Sequence, residues 1–436
     1  MKVCVQGLWH LGSVTAACLA QAGHDVTGLD SDAERIAALS RGSPPLFEPG
    51  LGELVREGLG SGRLRFSTDP SEALPGAELL WVTYDTPVNE RDEADVDFVL
   101  ERVGESLRVL PQGATVLVSS QLPVGSVDRL ARRAEEVAPG RALGFACSPE
   151  NLRLGNALEV FRQPDRIVVG VRSERDRERI ARLLSRIADR IEWMSVESAE
   201  MTKHAVNAFL ALSVTFANEI AALCEAVGAD AKDVERGMKS EKRIGPGAYL
   251  APGAAFAGGT LARDVEFLRQ VGTASAIPTA LLEAIRRSND EHKSWTVRTT
   301  ERLLGGLNGR TVAVWGLTYK AGTSTLRRSL AVESCDAFLA RGARLKVHDP
   351  AAEALPRSWA NGVERVADPL EALAGADALV VATGWPEYGA VPPGVVRGLR
   401  PGFVVVDPNR VVAHWGEVPG IRYASVGTAP RGARGG

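Results

Sequence analysis

The chain has 436 residues, length for about three domains at roughly 150 residues each. Apolar residues make up 45% and charged residues 24%, the proportions of ordinary globular domains, which excludes a disordered, collagen-like or coiled-coil chain. Lys and Arg total 51 against 54 Asp and Glu, a net charge of −3, so no global basic field holds nucleic acid or anionic lipid and any anionic ligand must be held by local groups.

Five cysteines (Cys4, Cys18, Cys147, Cys224, Cys335) lie far apart without a CxxC pair, which points to reduced thiols rather than a disulfide framework or a metal site. No apolar run approaches the roughly 18–20 residues of a membrane span. The opening MKVCVQGLWHLG is broken by Gln6, Gly7 and His10 before a signal-peptide core forms. The expectation is a soluble cytoplasmic protein without metal, nucleic-acid or membrane partners.

Lys2–Gln6 reads as a β-branched strand, followed by a glycine turn and the Ala-rich helical stretch Ser13–Ala22. His24–Asp30 reads as a second strand, and Leu79–Thr83, Ala114–Ser119, Leu143–Cys147 and Arg166–Val171 as buried strands. Strand–helix alternation implies a parallel sheet with helices on both faces, over residues 1–190. Ser198–Val227 lacks Pro and Gly and reads as one long helix. A Gly/Pro-rich segment follows at Arg243–Asp264, then more helix, so 191–304 is expected to be a central helical domain. From Arg310 the alternation resumes (TVAVWGL, RLKVHDP, ALVVAT, FVVVD), giving a third α/β domain at 305–436 with a mobile Arg/Gly-rich tail. The two outer domains read as variations on one doubly wound, Rossmann-like architecture.

Gly7-Leu8-Trp9-His10-Leu11-Gly12 sits between strand and helix, where a Rossmann phosphate loop belongs, and Asp30 ends the next strand, placed to accept from a ribose hydroxyl. A carboxylate there favours NAD over NADP. Trp9 replaces the second glycine, so its indole must point away or shift the loop. The helix after Gly12 still offers amides and a dipole to a phosphate. Thr86-Pro87 places a hydroxyl on a rigid loop at the same sheet edge. Lys203 and Asn207, four residues apart, share a face of the long helix.

The ordered segments GLWHLG, LFEPGL (Leu46–Leu51), TP (Thr86-Pro87), LPVGS (Leu122–Ser126), SPENLRLG (Ser148–Gly155), EMTKHAVNAFLAL (Glu200–Leu212), RIGP (Arg243–Pro246), YLAPGAAFAGGTLARD (Tyr249–Asp264) and VAVWGLTYKAGTSTLRRS (Val312–Ser329) span nearly the whole chain. Together they resemble the UDP-glucose/GDP-mannose dehydrogenase family. The resemblance implies an N-terminal NAD domain, a C-terminal nucleotide-sugar domain and a homodimer through the central helix. It also implies oxidation of a sugar C6 alcohol to a carboxylate with two NAD, through an aldehyde and a cysteine thioester.

Two departures bear on that chemistry. The family's nucleophilic cysteine, in a loop of the form GFGGSCxxKD, corresponds here to Thr260, and a hydroxyl is far harder to activate than a thiol. The family's Ser-Thr-x-Pro, whose Thr helps hold the hydrolytic water, corresponds to Ser120-Gln121-Leu122-Pro123. The resemblance keeps Lys203, Asn207 and Asp264 for the alcohol step, with Glu150 as the acid/base group. Gly7, Trp9, His10, Leu11, Gly12, Asp30, Arg35, Thr86, Pro87, Gln121, Glu150, Arg263 and Arg327 are expected on the cofactor side. Asn151, Leu152, Tyr249, Leu250, Gly253, Phe256, Gly258, Tyr319, Lys320 and Arg410 are expected on the substrate side, with Glu150, Lys203, Asn207 and Arg243, which reaches across the dimer. The loop 252–259, small apart from Phe256, is expected to bring its amides to a diphosphate.

Loss of the thioester groups beside retention of the alcohol groups favours the two-electron step to the aldehyde. Full oxidation through the hydrated aldehyde, a redox-neutral rearrangement with recycled NAD, and a non-catalytic nucleotide-sugar binding protein stand as alternatives. Base and sugar stay open.

Overall fold

The computed structural model describes residues 1–87, 94–150, 152–257, 259–359 and 362–428. The chain forms two compact units, Met1–Ala205 and Val206–Gly436.

The first unit is built on an eight-stranded sheet: β1 (Lys2–Gln6), β2 (Asp25–Leu29), β3 (Leu64–Ser67), β4 (Leu79–Val82), β5 (Thr115–Val118), β6 (Gly144–Cys147), β7 (Ile167–Gly170) and β8 (Ile191–Met194). The spatial order is β3-β2-β1-β4-β5-β6-β7-β8, parallel except where β6 meets β7. Val3, Cys4 and Val5 of β1 and all of β4 are buried, as parallel strands covered on both faces must be. One apolar cluster forms on each face. The first helix spans His10–Gln21, three residues earlier than its composition suggests, because the glycine turn runs directly into it.

The second unit carries β9 (Thr311–Trp315), β10 (Arg344–His348), β11 (Val363–Arg365), β12 (Ala378–Val381), β13 (Phe403–Val406) and β14 (Ile421–Ala424), in the order β11-β10-β9-β12-β13-β14, all parallel. Both sheets therefore reverse direction beside their first strand, the topological switch point at which doubly wound folds bind ligands. The long helix spans Val196–Val227, and helices Thr260–Ala274, Ala280–Lys293 and Trp295–Leu304 follow it.

Ala221 and Cys224 of the long helix and Trp295, Val297 and Leu303 share one apolar cluster with Val312, Val314, Val380 and Val404 of the second sheet. The helices of 206–304 thus pack with that sheet in one compact unit. One sequence expectation needs revision. The long helix is long and apolar enough, by length and composition alone, to cross a membrane. No Asp, Glu, Lys or Arg lies between Lys203 and Glu219, although His204, Asn207, Ser213, Thr215 and Asn218 interrupt the apolar residues. Its Ala208 and Ala211 pack in a protein core with Val265 and Ile285, as the central helix of a globular domain does.

Candidate active site

The first unit presents a dinucleotide turn. Gly7 has φ +96°, and a Cβ there would meet the backbone nitrogen of Tyr84 at 2.8 Å; a Cβ on Gly12 would overlap the Gly7 carbonyl. Only glycine fits either place. Asp30, 2% exposed at the end of β2, accepts the Leu8 N–H on Oδ2 at 2.7 Å and the Asp32 N–H on Oδ1 at 3.0 Å. Arg35 donates to Oδ2 at 2.9 Å. A carboxylate offers about four acceptor positions, and Oδ1 accepts only the Asp32 amide among the described residues, which leaves room for a ribose hydroxyl. Trp9 turns its indole outward, 38% exposed, with the Arg35 guanidinium 5.3 Å from the ring centroid. The turn fits a dinucleotide with the tryptophan out of its way.

Around it, Leu11 in the first turn of the first helix borders a cavity of about 70 Å³ that Thr15, Ser119, Glu150 and Leu152 also line. Thr86 is buried and donates to the Gln121 carbonyl at 2.9 Å, tying the chain after β4 to the chain after β5; Pro87 is exposed. Glu150 accepts the Leu152 N–H at 2.7 Å, and Lys203 donates to the Glu150 carbonyl at 2.5 Å with its ammonium 3.7 Å from the carboxylate. Lys203, Gln121 and Glu150 line a second cavity of about 20 Å³, room for about one water. Cys147 lines it too, but burial pushes its thiol far up and the Glu200 charge adds to this, so it makes a poor nucleophile. One carboxylate here lay outside the expected set. Glu48 is buried against His10, 2.8 Å from Nε2. In the sequence it shows as the acid of LFEPGL, between a Phe and a Pro-Gly turn, a segment of the family resemblance to which no role was attached.

In the second unit Asn207 donates its side-chain amide to the carboxylate of Asp264, which is fully buried. Thr260 is exposed as the first residue of its helix, behind Gly259 at φ +117°. The Tyr319 hydroxyl lies 3.8 Å and Arg328 Nη1 4.0 Å from where a Gly259 Cβ would stand. Burial raises the Tyr319 phenol against the opposing charge of Arg328. Arg263 is buried one turn into the helix, whereas Lys320 and Arg327 are exposed on the loop after β9.

Several expected substrate contacts are already made within the protein. The Gly253 N–H goes to Asn218 at 3.0 Å, the Ala254 N–H to Asn409 at 2.9 Å and the Phe256 N–H to Asn289 at 2.9 Å, while His292 Nε2 lies 2.8 Å from the Gly253 carbonyl. The Gly-rich loop is therefore pinned by side chains, and these three amides are not free for a diphosphate. Phe256 packs into the apolar cluster of Ala208 and Ala211. Arg410, at φ +58°, donates to Asp230 at 2.9 Å and to Thr428 at 2.8 Å. Arg243 is exposed and pairs with Glu241 at 3.0 Å; Tyr249 is exposed, and Leu250 packs near Phe216 and Met238. Asn218, Asn289, His292 and Asn409 escaped sequence reading because they act on backbone that only folding brings to them. Asn151 and Gly258 lie outside the described residues.

Three models of the UDP-glucose/GDP-mannose dehydrogenase family match in order: the NAD binding domain over residues 1–188, the central domain over 197–291 and the UDP binding domain over 313–414. The chain belongs to the UDP-glucose/GDP-mannose dehydrogenase family. It is accordingly an NAD-dependent oxidoreductase that acts on a nucleotide sugar. Among its relatives, a UDP-glucose 6-dehydrogenase of Pseudomonas aeruginosa is 35% identical over 434 residues, covering 95% of this chain and 94% of that one. A UDP-glucose 6-dehydrogenase of Rhizobium meliloti is 36% identical over 98% of this chain and 99% of that one. The structure of a UDP-glucose dehydrogenase from Pyrobaculum islandicum superposes with a TM-score of 0.88 at 34% identity, covering 98% of each chain.

Proposed function

We propose that this family member oxidises the C6 alcohol of UDP-glucose or a closely related UDP-hexose and releases chiefly the 6-aldehyde. UDP-glucose is the named substrate of the relatives above. The observation that carries the arrest is the absence of a usable thiol. Thr260 stands at the position of the family nucleophile, and all five cysteines of the chain are buried.

The Gly7–Gly12 turn and Asp30 would hold NAD, which would supply the hydride acceptor. C6 gives up one of its C–H hydrogens as hydride while its hydroxyl gives up the proton to the chain, leaving the aldehyde C=O. Asp264, oriented by Asn207, is the acceptor of that proton, directly or through a water. The Lys203 ammonium stabilises the charge that develops on oxygen. Glu150, held by the Leu152 amide, is the acid/base group on the first unit. With no thiolate to add to the aldehyde carbon, the second hydride has no covalent hemithioacetal from which to leave.

The experiment is an end-point assay with UDP-glucose and NAD. The expected result is one NADH per sugar and an aldehyde or its hydrate by mass; two NADH and a carboxylate would overturn the arrest. Thr260→Cys should raise carboxylate formation by about tenfold or more while leaving the first oxidation in place.

The exposed apolar residues Val206, Phe209, Phe216, Leu223 and Val227 follow one another at steps of three, seven, seven and four residues along the long helix, which keeps them on one face. That stripe supports a homodimer through this helix. A monomer in sedimentation at micromolar concentration would contradict it.

A further inference from the structure

Glu48 has no assigned role, yet its side chain is 1% exposed and carries more partners than a structural acid in a turn requires. Its neighbour Phe47 is 82% exposed. The apolar residue faces out and the acid faces in, an inversion of the usual preference that needs a polar reason. Oε2 accepts the Gly155 N–H at 2.8 Å and lies 2.8 Å from His10 Nε2; Oε1 accepts the Ala157 N–H at 2.8 Å. His10 opens the first helix directly after Trp9, in the dinucleotide turn. Gly155 and Ala157 follow the segment that carries Glu150 and Leu152, whose amide holds the Glu150 carboxylate.

We propose that Glu48 is a positioning residue that locks the NAD-binding turn to the Glu150 segment. Each oxygen is fixed by its own backbone amide, so the carboxylate has one orientation and His10 one anchor. A buried carboxylate is tolerated only while its donors are in place, so turn and segment adopt their geometry together. Glutamine is no substitute, because whichever way it turns, its NH2 faces one of the two backbone N–H groups.

NAD binding and turnover by the full-length protein test this, through NAD titration of the intrinsic tryptophan fluorescence and NADH formation with UDP-glucose. The NAD titration is independent of which sugar product forms, so its failure is distinct from failure of the aldehyde reading. His10→Phe, which keeps a ring but donates nothing, should weaken NAD binding about tenfold and, by taking one donor from a buried carboxylate, lower the melting temperature by a few degrees. His10→Gln, whose amide again donates to Glu48, should return to within about threefold of the parent. Glu48→Gln should lower kcat and NAD affinity together by about tenfold. The proposal is overturned if His10→Phe and His10→Gln bind NAD alike, or if Glu48→Gln loses melting temperature while kcat and NAD affinity stay at parental values.

Discussion

The turn after β1 and the turn after β9 repeat one hydrogen-bonding design. Gly7 and Gly316 have φ of +96° and +86°, and each donates its N–H to the carbonyl of the last residue of the neighbouring strand, Leu29 and His348. Asp30 accepts the Leu8 N–H as Asp349 accepts the Leu317 N–H. Ser13 and Ser329 return hydroxyl bonds to the Leu8 and Leu317 carbonyls. The turns then diverge. The first runs straight into its helix at His10, whereas the second inserts the loop of Tyr319, Lys320 and Arg327 before its helix starts at Leu330. Asp30 keeps an acceptor position, while Asp349 is filled: Oδ2 takes the Leu317 and Thr318 amides, the Thr318 hydroxyl and the Trp385 indole, and Oδ1 takes the Ala351 and Ala352 amides. The same framework thus leaves an acceptor position open in the unit that carries the NAD binding domain and, with its acid saturated, only anchors the loop of Tyr319, Lys320 and Arg327 in the other.

Substitutions that treat the two turns alike should act alike. Gly7→Ala and Gly316→Ala each put a Cβ into positive φ and against neighbouring backbone, and each should cost about 2–5 kcal/mol in denaturant melts. A tolerated alanine at either glycine would end the equivalence. The acids should separate the turns. Asp349→Asn leaves at least two buried donors unpaired, for a loss of about 2–4 kcal/mol. Asp30→Asn should instead weaken NAD about tenfold with a smaller loss of stability.

Acid sharpens the contrast. Burial pushes the Asp349 carboxyl up, but the amides of Leu317, Thr318, Ala351 and Ala352 outweigh it and hold the carboxyl below its ordinary value. A depressed carboxyl stabilises fully above its unfolded value of about 3.9 and loses that contribution as pH falls through the folded value. The stability gap between parent and Asp349→Asn should therefore narrow below about pH 4; a gap constant down to acid unfolding would refute the assignment. Smallest of all, Arg35→Ala removes one partner of Asp30 and the cover of Trp9, and NAD affinity should change by about threefold.

The strands legible in the sequence and those that were not differ in one physical respect. Continuous apolar runs such as Leu79–Val82 and Phe403–Val406 mark strands buried on both faces. The strands that escaped, β3, β8, β11 and β14, are the four outermost strands of the two sheets. Their sequences, LRFS, IEWM, VER and IRYA, are half-covered and carry charge, so no run of apolar residues announces them. The site divides similarly. Gly7, Gly12 and Asp30 were legible because a tight turn and a strand-end acid impose fixed residue types at fixed spacing. In the Gly-rich loop, composition says nothing of Asn218, Asn409 and Asn289, which take the Gly253, Ala254 and Phe256 amides.

By itself, the order of residues determined two sheets of one design and a glycine turn for a dinucleotide, since each follows from local backbone geometry and residue spacing. Tertiary structure alone decided that Trp9 faces outward, that Asp349 is saturated while Asp30 is not, and that Glu48 joins two segments. Those outcomes depend on which side chains and amides meet across separations as unlike as the 22 residues from Leu8 to Asp30 and the 109 from Glu48 to Ala157, and no local pattern encodes that pairing.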